Sequence, residues 1–131
     1  MSESVVLFSG KDLATFKREG GLAWWRISAQ RAKALEYAVV TRCLTKDWAT
    51  PDVEQGTALM ICKLNGQSVQ AENGRICLQF DAFAPINVAQ FWQKLTNNQR
   101  NPFTYRQTGE LLKMLGLQAD KIQWQPFETT L

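Results

Sequence analysis

The chain has 131 residues, 45% of them hydrophobic and 21% charged, with 3 cysteines, no histidine and a formal charge of +3. That length suits one globular α+β domain over residues 1–131, large enough to build a core without disulfide or metal staples. The missing histidine removes Ser-His-Asp and Cys-His nucleophiles, imidazole acid–base chemistry at neutral pH and histidine-built zinc sites, and three cysteines are too few for an all-thiolate zinc centre.

In chain order, Ser4 to Phe8 reads as a short apolar strand ended by Ser9-Gly10. Ser9-Gly10-Lys11-Asp12 has the spacing of a capping box, with Asp in place of Glu or Gln. It predicts a helix from about Lys11 to Glu19, with Leu13 and Phe16 on one face and Gly20-Gly21 as its stop. Leu22 to Ile27 is aromatic and branched, as strands are. Ser28 caps a second short helix through about Leu35, with Ala32 and Leu35 facing inward.

Tyr37 to Leu44 is a stronger strand, followed by a polar stretch from Thr45 to Gly56 that holds Trp48 and Pro51. Thr57 to Leu64 is the most apolar strand. Asn65-Gly66 then suits a type I′ hairpin, because both of its central residues take positive φ. A return strand over Gln67 to Ala71 leads to a second Asn-Gly at Asn73-Gly74. Arg75 to Asp81 alternates, with Ile76, Leu78 and Phe80 on one face and Arg75, Cys77, Gln79 and Asp81 on the other. The three make an antiparallel meander.

Past Pro85 the spacing turns helical: Asn87 caps a helix in which Val88, Phe91, Trp92 and Leu95 fall at i, i+3, i+4 and i+7. Thr96 to Thr108 reads as an irregular polar segment. Thr108 caps a helix over Gly109 to Leu115, ended by Gly116, and Lys121 to Phe127 forms a closing strand. This order predicts an α+β domain, a largely antiparallel curved sheet of about 5–6 strands with short helices packed on one face. In length, mixed element order and scattered tryptophans the chain is similar to the small β-barrel RNA- and modified-base-binding modules of the PUA and EVE type. No motif aligns residue by residue, so the likeness is one of fold and carries over no functional position.

Met1-Ser2-Glu3-Ser4 lacks the positive region of a secretory signal, Val5 to Phe8 is too short for its apolar region, and no apolar run approaches the ~20 residues of a membrane span. Cys43, Cys62 and Cys77 are odd in number, widely spaced and set in apolar runs, as free thiols in a reducing compartment are. The expectation is a cytoplasmic protein with no membrane association. Cys43 and Cys62 read as core residues, and Cys77, on the more polar face, is the candidate reactive thiol.

The charge is segregated. Residues 10–46 carry +5 and residues 82–109 carry +3, and no carboxylate lies between Asp81 and Glu110. Such segregation steers an anionic partner better than the same net charge spread evenly. Within the acid-free stretch, residues 97–108 combine amides, Arg100 and Arg106, and the aromatics Phe103 and Tyr105, a set suited to bases and phosphates. The same stretch can equally be a turn at Asn101-Pro102 with Phe103 and Tyr105 plugged into the core. Trp24 and Trp25 are neighbours on a strand and point to opposite faces, which leaves Trp24, beside Arg26, to line a pocket or meet a partner. Trp92 lies on an apolar helix face and reads as core.

Three functions follow from these residues. The first is a non-enzymatic binding module for an anionic or planar ligand such as nucleic acid or a nucleotide, using Trp24, Arg26, Arg100, Asn101, Tyr105 and Arg106. It requires no cofactor and no metal. The alternative is a protein-interaction or homo-oligomeric accessory protein, such as a homodimer that buries Trp24 against its mate. The third is an enzyme working through Asp81 with Arg75, or through a divalent cation held by Asp47, Asp52 and Glu54, though no spacing demands either.

Overall fold

The computed structural model describes residues 2–130. Strand β1 (Glu3–Ser9) leads through α1 (Leu13–Glu19), β2 (Leu22–Trp25) and α2 (Ala29–Ala34) to β3 (Leu35–Arg42). β4 (Ala58–Gln70), β5 (Ile76–Val88), α3 (Phe91–Thr96), β6 (Phe103–Gln107) and α4 (Thr108–Leu115) follow, and a 3-10 turn at Ala119–Lys121 precedes the short β7 (Gln125–Pro126). The sheet runs β2-β5-β4-β3-β1-β6, with β7 added beside β5. β1 and β3 are parallel, and every other pair is antiparallel.

The sheet curls until its two ends meet. Trp25 on β2 stands edge-on to Phe103 on β6, ring centres 6.3 Å apart, although no backbone pairing joins those strands. Alternating residues of the central strands therefore enter two cores. Val5, Leu7, Ala38, Val40, Met60 and Cys62 face the cluster inside the curl, joined by Phe16 of α1 and Ala32 of α2. Val6, Val39 and Ile61 face the outer cluster, covered by Phe91 and Trp92 of α3 and by Leu111 and Leu115 of α4. Burial on both faces explains why these strands are apolar at successive positions rather than at every second one.

The α+β reading and the curved, largely antiparallel sheet hold. Helices along one face describes α3 and α4, while α1 and α2 contribute to the inner cluster. Several local expectations are corrected. Asp12, not Ser9, caps α1: its carboxylate accepts from Thr15 N at 2.9 Å. The bonds from the Thr15 hydroxyl and amide hold its pKa below the usual carboxylate range. Asn65-Gly66 is not a hairpin. β4 runs straight through it, Gly66 takes φ 80°, and the register against β5 slips between Leu64 and Ser68, so the positive φ serves a bulge. The hairpin is the one at Asn73-Gly74, where Ala71 N donates to Arg75 O at 2.8 Å.

β5 likewise continues through Pro85 and Asn87, and α3 starts only at Phe91. Pro85 lies beyond the residues paired with β7, where the outer side of β5 has no neighbouring strand and a missing N–H is tolerated. Residues 103–107, expected to be irregular, form β6 against β1. Thr108 does not cap α4 with its side chain; its Oγ1 lies 2.6 Å from Ser4 Oγ, buried between α4 and β1.

Candidate functional site

β1 and β3 run parallel and finish at the same end of the sheet, and a cavity of about 610 Å³ opens there. Phe8 of β1 and Lys11 of the β1–α1 connection form one wall and Trp24 and Trp25 of β2 another. Cys43, Lys46 and Trp48 come from the loop after β3, and Gln99, Arg100 and Pro102 from the loop before β6. Arg75 reaches the cavity from the start of the β5 segment.

The loop after β3 is long and polar, and a buried arginine fixes it. Arg42 is 0% exposed; its Nε and Nη2 donate to Asp52 at 2.8 and 3.0 Å, and Nη1 donates to the carbonyls of Ser9 and Lys11, both at 2.8 Å. One guanidinium thus ties the end of β1 to the loop, in the bidentate geometry that suits it to a carboxylate. Gly10 is required beside it, because a Cβ there would stand 2.8 Å from Ala49 Cβ and 3.0 Å from the Cys43 carbonyl oxygen. The loop before β6 is held by Gln99, whose Nε2 donates to the carbonyls of Asn101 and Phe103 at 2.9 Å each. Asn97 and Asn98 take the left-handed φ of 53° and 61° that asparagine tolerates better than most residues.

The lining holds no carboxylate. Lys11 is neutralised by Glu19, 2.8 Å away. Lys46, Arg75 and Arg100 have no ion-pair partner among the described residues. The aromatic side is equally marked: Trp25 is buried, Trp24 half-buried and Trp48 59% exposed. The buried indole N–H of Trp25 has no acceptor among the described residues.

Of the residues singled out in the sequence, Trp24 and Arg100 line this cavity. Arg26 and Asn101 lie in a smaller adjoining hollow. Tyr105 and Arg106 are placed elsewhere. Tyr105 packs against the inner core with the Arg31 guanidinium 3.5 Å over its ring, and Arg106 donates to the Leu95 and Tyr105 carbonyls at 3.1 and 2.7 Å. Sequence reasoning passed over Lys46 and Trp48, and placed Arg75 only as a partner of Asp81. A large indole in an otherwise polar loop was the available signal for Trp48.

Two other expectations change. Asp81 accepts from Asn65 at 2.9 Å rather than pairing with Arg75, and Asp52 is committed to Arg42. Cys77 is buried, and burial, with Glu19 adding to it, pushes its thiol up to about 11. Burial pushes the Cys62 thiol well up too. Cys43 is the half-buried thiol, on the cavity wall with its Sγ 3.0 Å from Thr45 Oγ1. In the native protein an aromatic disulfide reagent at pH 8 is therefore expected to label Cys43 alone. Mass spectrometry checks this: Cys43→Ser removes the labelling and Cys77→Ser leaves it.

Among the described residues no helix is long and apolar enough to cross a membrane. No family model matches the chain, and no curated protein or solved structure matches it. What bears on function is the chemistry of the cavity itself.

Proposed function

We propose that the protein is a binding module for an anionic ligand with a planar ring, of the nucleotide class, seated in the cavity at the ends of β1 and β3. One observation carries this reading: three tryptophans and three cations with no ion-pair partner among the described residues line about 610 Å³ whose described lining contains no carboxylate. The volume lies in the range that small ligands and cofactors occupy. An indole face stacks on any base, and Arg75, Arg100 and Lys46 neutralise phosphate oxygens, the arginines with forked geometry. Histidine and carboxylates, the commonest general bases, do not line the cavity, which offers stacking faces and cations instead.

Titration calorimetry at low salt, with nucleoside 5′-monophosphates and short oligonucleotides as probes, tests the reading. Binding is expected to weaken about 5- to 150-fold in Trp24→Ala, the effect of losing one base stack. Arg100→Ala should weaken it too and flatten its salt dependence. No heat from any probe at low salt would overturn the reading. Light-scattering mass of wild type and Trp24→Ala would then test the protein-interaction alternative.

A further inference from the structure

The large cavity does not end at its own rim. A hollow of about 330 Å³ adjoins it and shares Trp24, Trp25, Arg75 and Pro102 as a common wall. It lies where β2 and β6 approach without pairing, and adds Arg26, Asn101 and Phe103. A third hollow, of about 290 Å³, shares Arg26 and Arg75 with the second and is completed by Ile27, Ser28, Asn73 and Gly74. Arg75 borders all three, and none of the three has an aspartate or glutamate in its lining.

We infer that the ligand is a run of single-stranded nucleic acid rather than a free nucleotide, with one base in the large cavity and the sugar–phosphate chain led over Arg75 and Arg26 into the two smaller hollows. This rests on the reading of the large cavity given above. A mononucleotide would engage only the first hollow and leave Arg26 without an anion. Lys46 and Arg100 line the first hollow, Arg75 all three and Arg26 the second and third, and none has an ion-pair partner among the described residues. Such an acid-free succession matches a repeating anion. A duplex fits poorly, since its bases are stacked on one another and offer no face to Trp24 inside a concave site. A bare polyanion satisfies the arginines and leaves the tryptophans unused.

A length series separates the alternatives: a nucleoside monophosphate, a 5′-phosphorylated dinucleotide and a tetranucleotide in both RNA and DNA form, the tetranucleotide sequence within a duplex, and inorganic polyphosphate. Each is titrated by calorimetry across salt concentrations. The expected result is a gain in affinity of at least about tenfold from mono- to tetranucleotide. The log–log salt slope should steepen from about −1 to about −3 as phosphates engage successive cations. Arg26→Ala should take away most of the gain with length and lower the tetranucleotide slope by about 0.7, weakening the tetranucleotide more than the monophosphate. Arg26 is exposed, so this variant keeps its fold, and Lys113→Ala on α4 serves as the control with no effect.

Equal affinity for mono- and tetranucleotide would overturn the inference and leave the cavity reading standing. Duplex or polyphosphate binding as tight as the single strand would overturn it as well. Silence from every probe would overturn both. RNA bound more tightly than DNA, or the reverse, would identify which single strand the hollows accept.

Discussion

Arg42→Ala is expected to cost about 3–5 kcal/mol, from the void left by a fully buried long side chain and the loss of the hydrogen bonds it donates. The variant removes more than a charge. The Ser9 and Lys11 carbonyls lose a shared donor and Asp52 loses its partner, while a space the size of a guanidinium opens between β1 and the loop after β3. Asp52→Ala should cost less, about 2 kcal/mol, because Asp52 is 38% exposed and water can take its place at the guanidinium. The double variant is then expected to cost less than the two singles together, the sign of a coupled pair. Thermal unfolding followed by circular dichroism measures all three, at roughly 3–4 °C per kcal/mol for a chain of this length. An Arg42→Ala protein as stable as wild type would mean that the loop carrying Lys46 and Trp48 is fixed by something else.

Trp92→Ala is the second large loss, expected at about 3–5 kcal/mol. Trp92 is 1% exposed, and its ring lies 4.7 Å from Phe8 with only 4° between the planes. Its backbone N–H also donates to the Gly56 carbonyl at 3.0 Å, which fastens α3 to the end of the loop after β3. Truncation leaves an indole-sized void in the outer core and frees Phe8, itself part of the cavity wall. Trp92→Phe keeps one ring against Phe8 and should recover more than half of the loss. The same melting experiments decide it, and ligand calorimetry on Trp92→Phe would show whether the position of Phe8 matters to binding.

Much of the fold was legible because its signals are local. Gly20 and Gly116 end their helices in the left-handed conformation that glycine favours, and Ser28 caps α2 by accepting from Arg31 N. Apart from the choice of Asp12 over Ser9 as the cap of α1, what failed was set by partners distant in sequence. Positive φ at Gly66 fits a turn and a bulge equally well, and only the pairing of β4 with β5 on both sides of it decides for the bulge. Residues 103–107 carry too little apolar alternation to announce a strand; β1, about a hundred residues earlier, supplies the pairing that makes them one. The site divides the same way. Trp24 and Arg26 stood out because they are neighbours, whereas Arg75, Lys46 and Trp48 join them only when the sheet curls. Tyr105 looked available for stacking until Arg31, from α2, covered its face.

The meeting of β2 and β6 through side chains alone also bears on how the molecule avoids its own kind. An open sheet presents unpaired N–H and C=O groups along both margins, and these are templates for strands of other molecules. Here the end strands β2 and β6 are short, 4 and 5 residues, and Trp25 of one meets Phe103 of the other. A hydrogen-bonded closure would guard them more completely but would fill the hollow lined by Arg26 and Asn101. The gap is thus a compromise in which one pair of rings restrains aggregation while leaving room beside it.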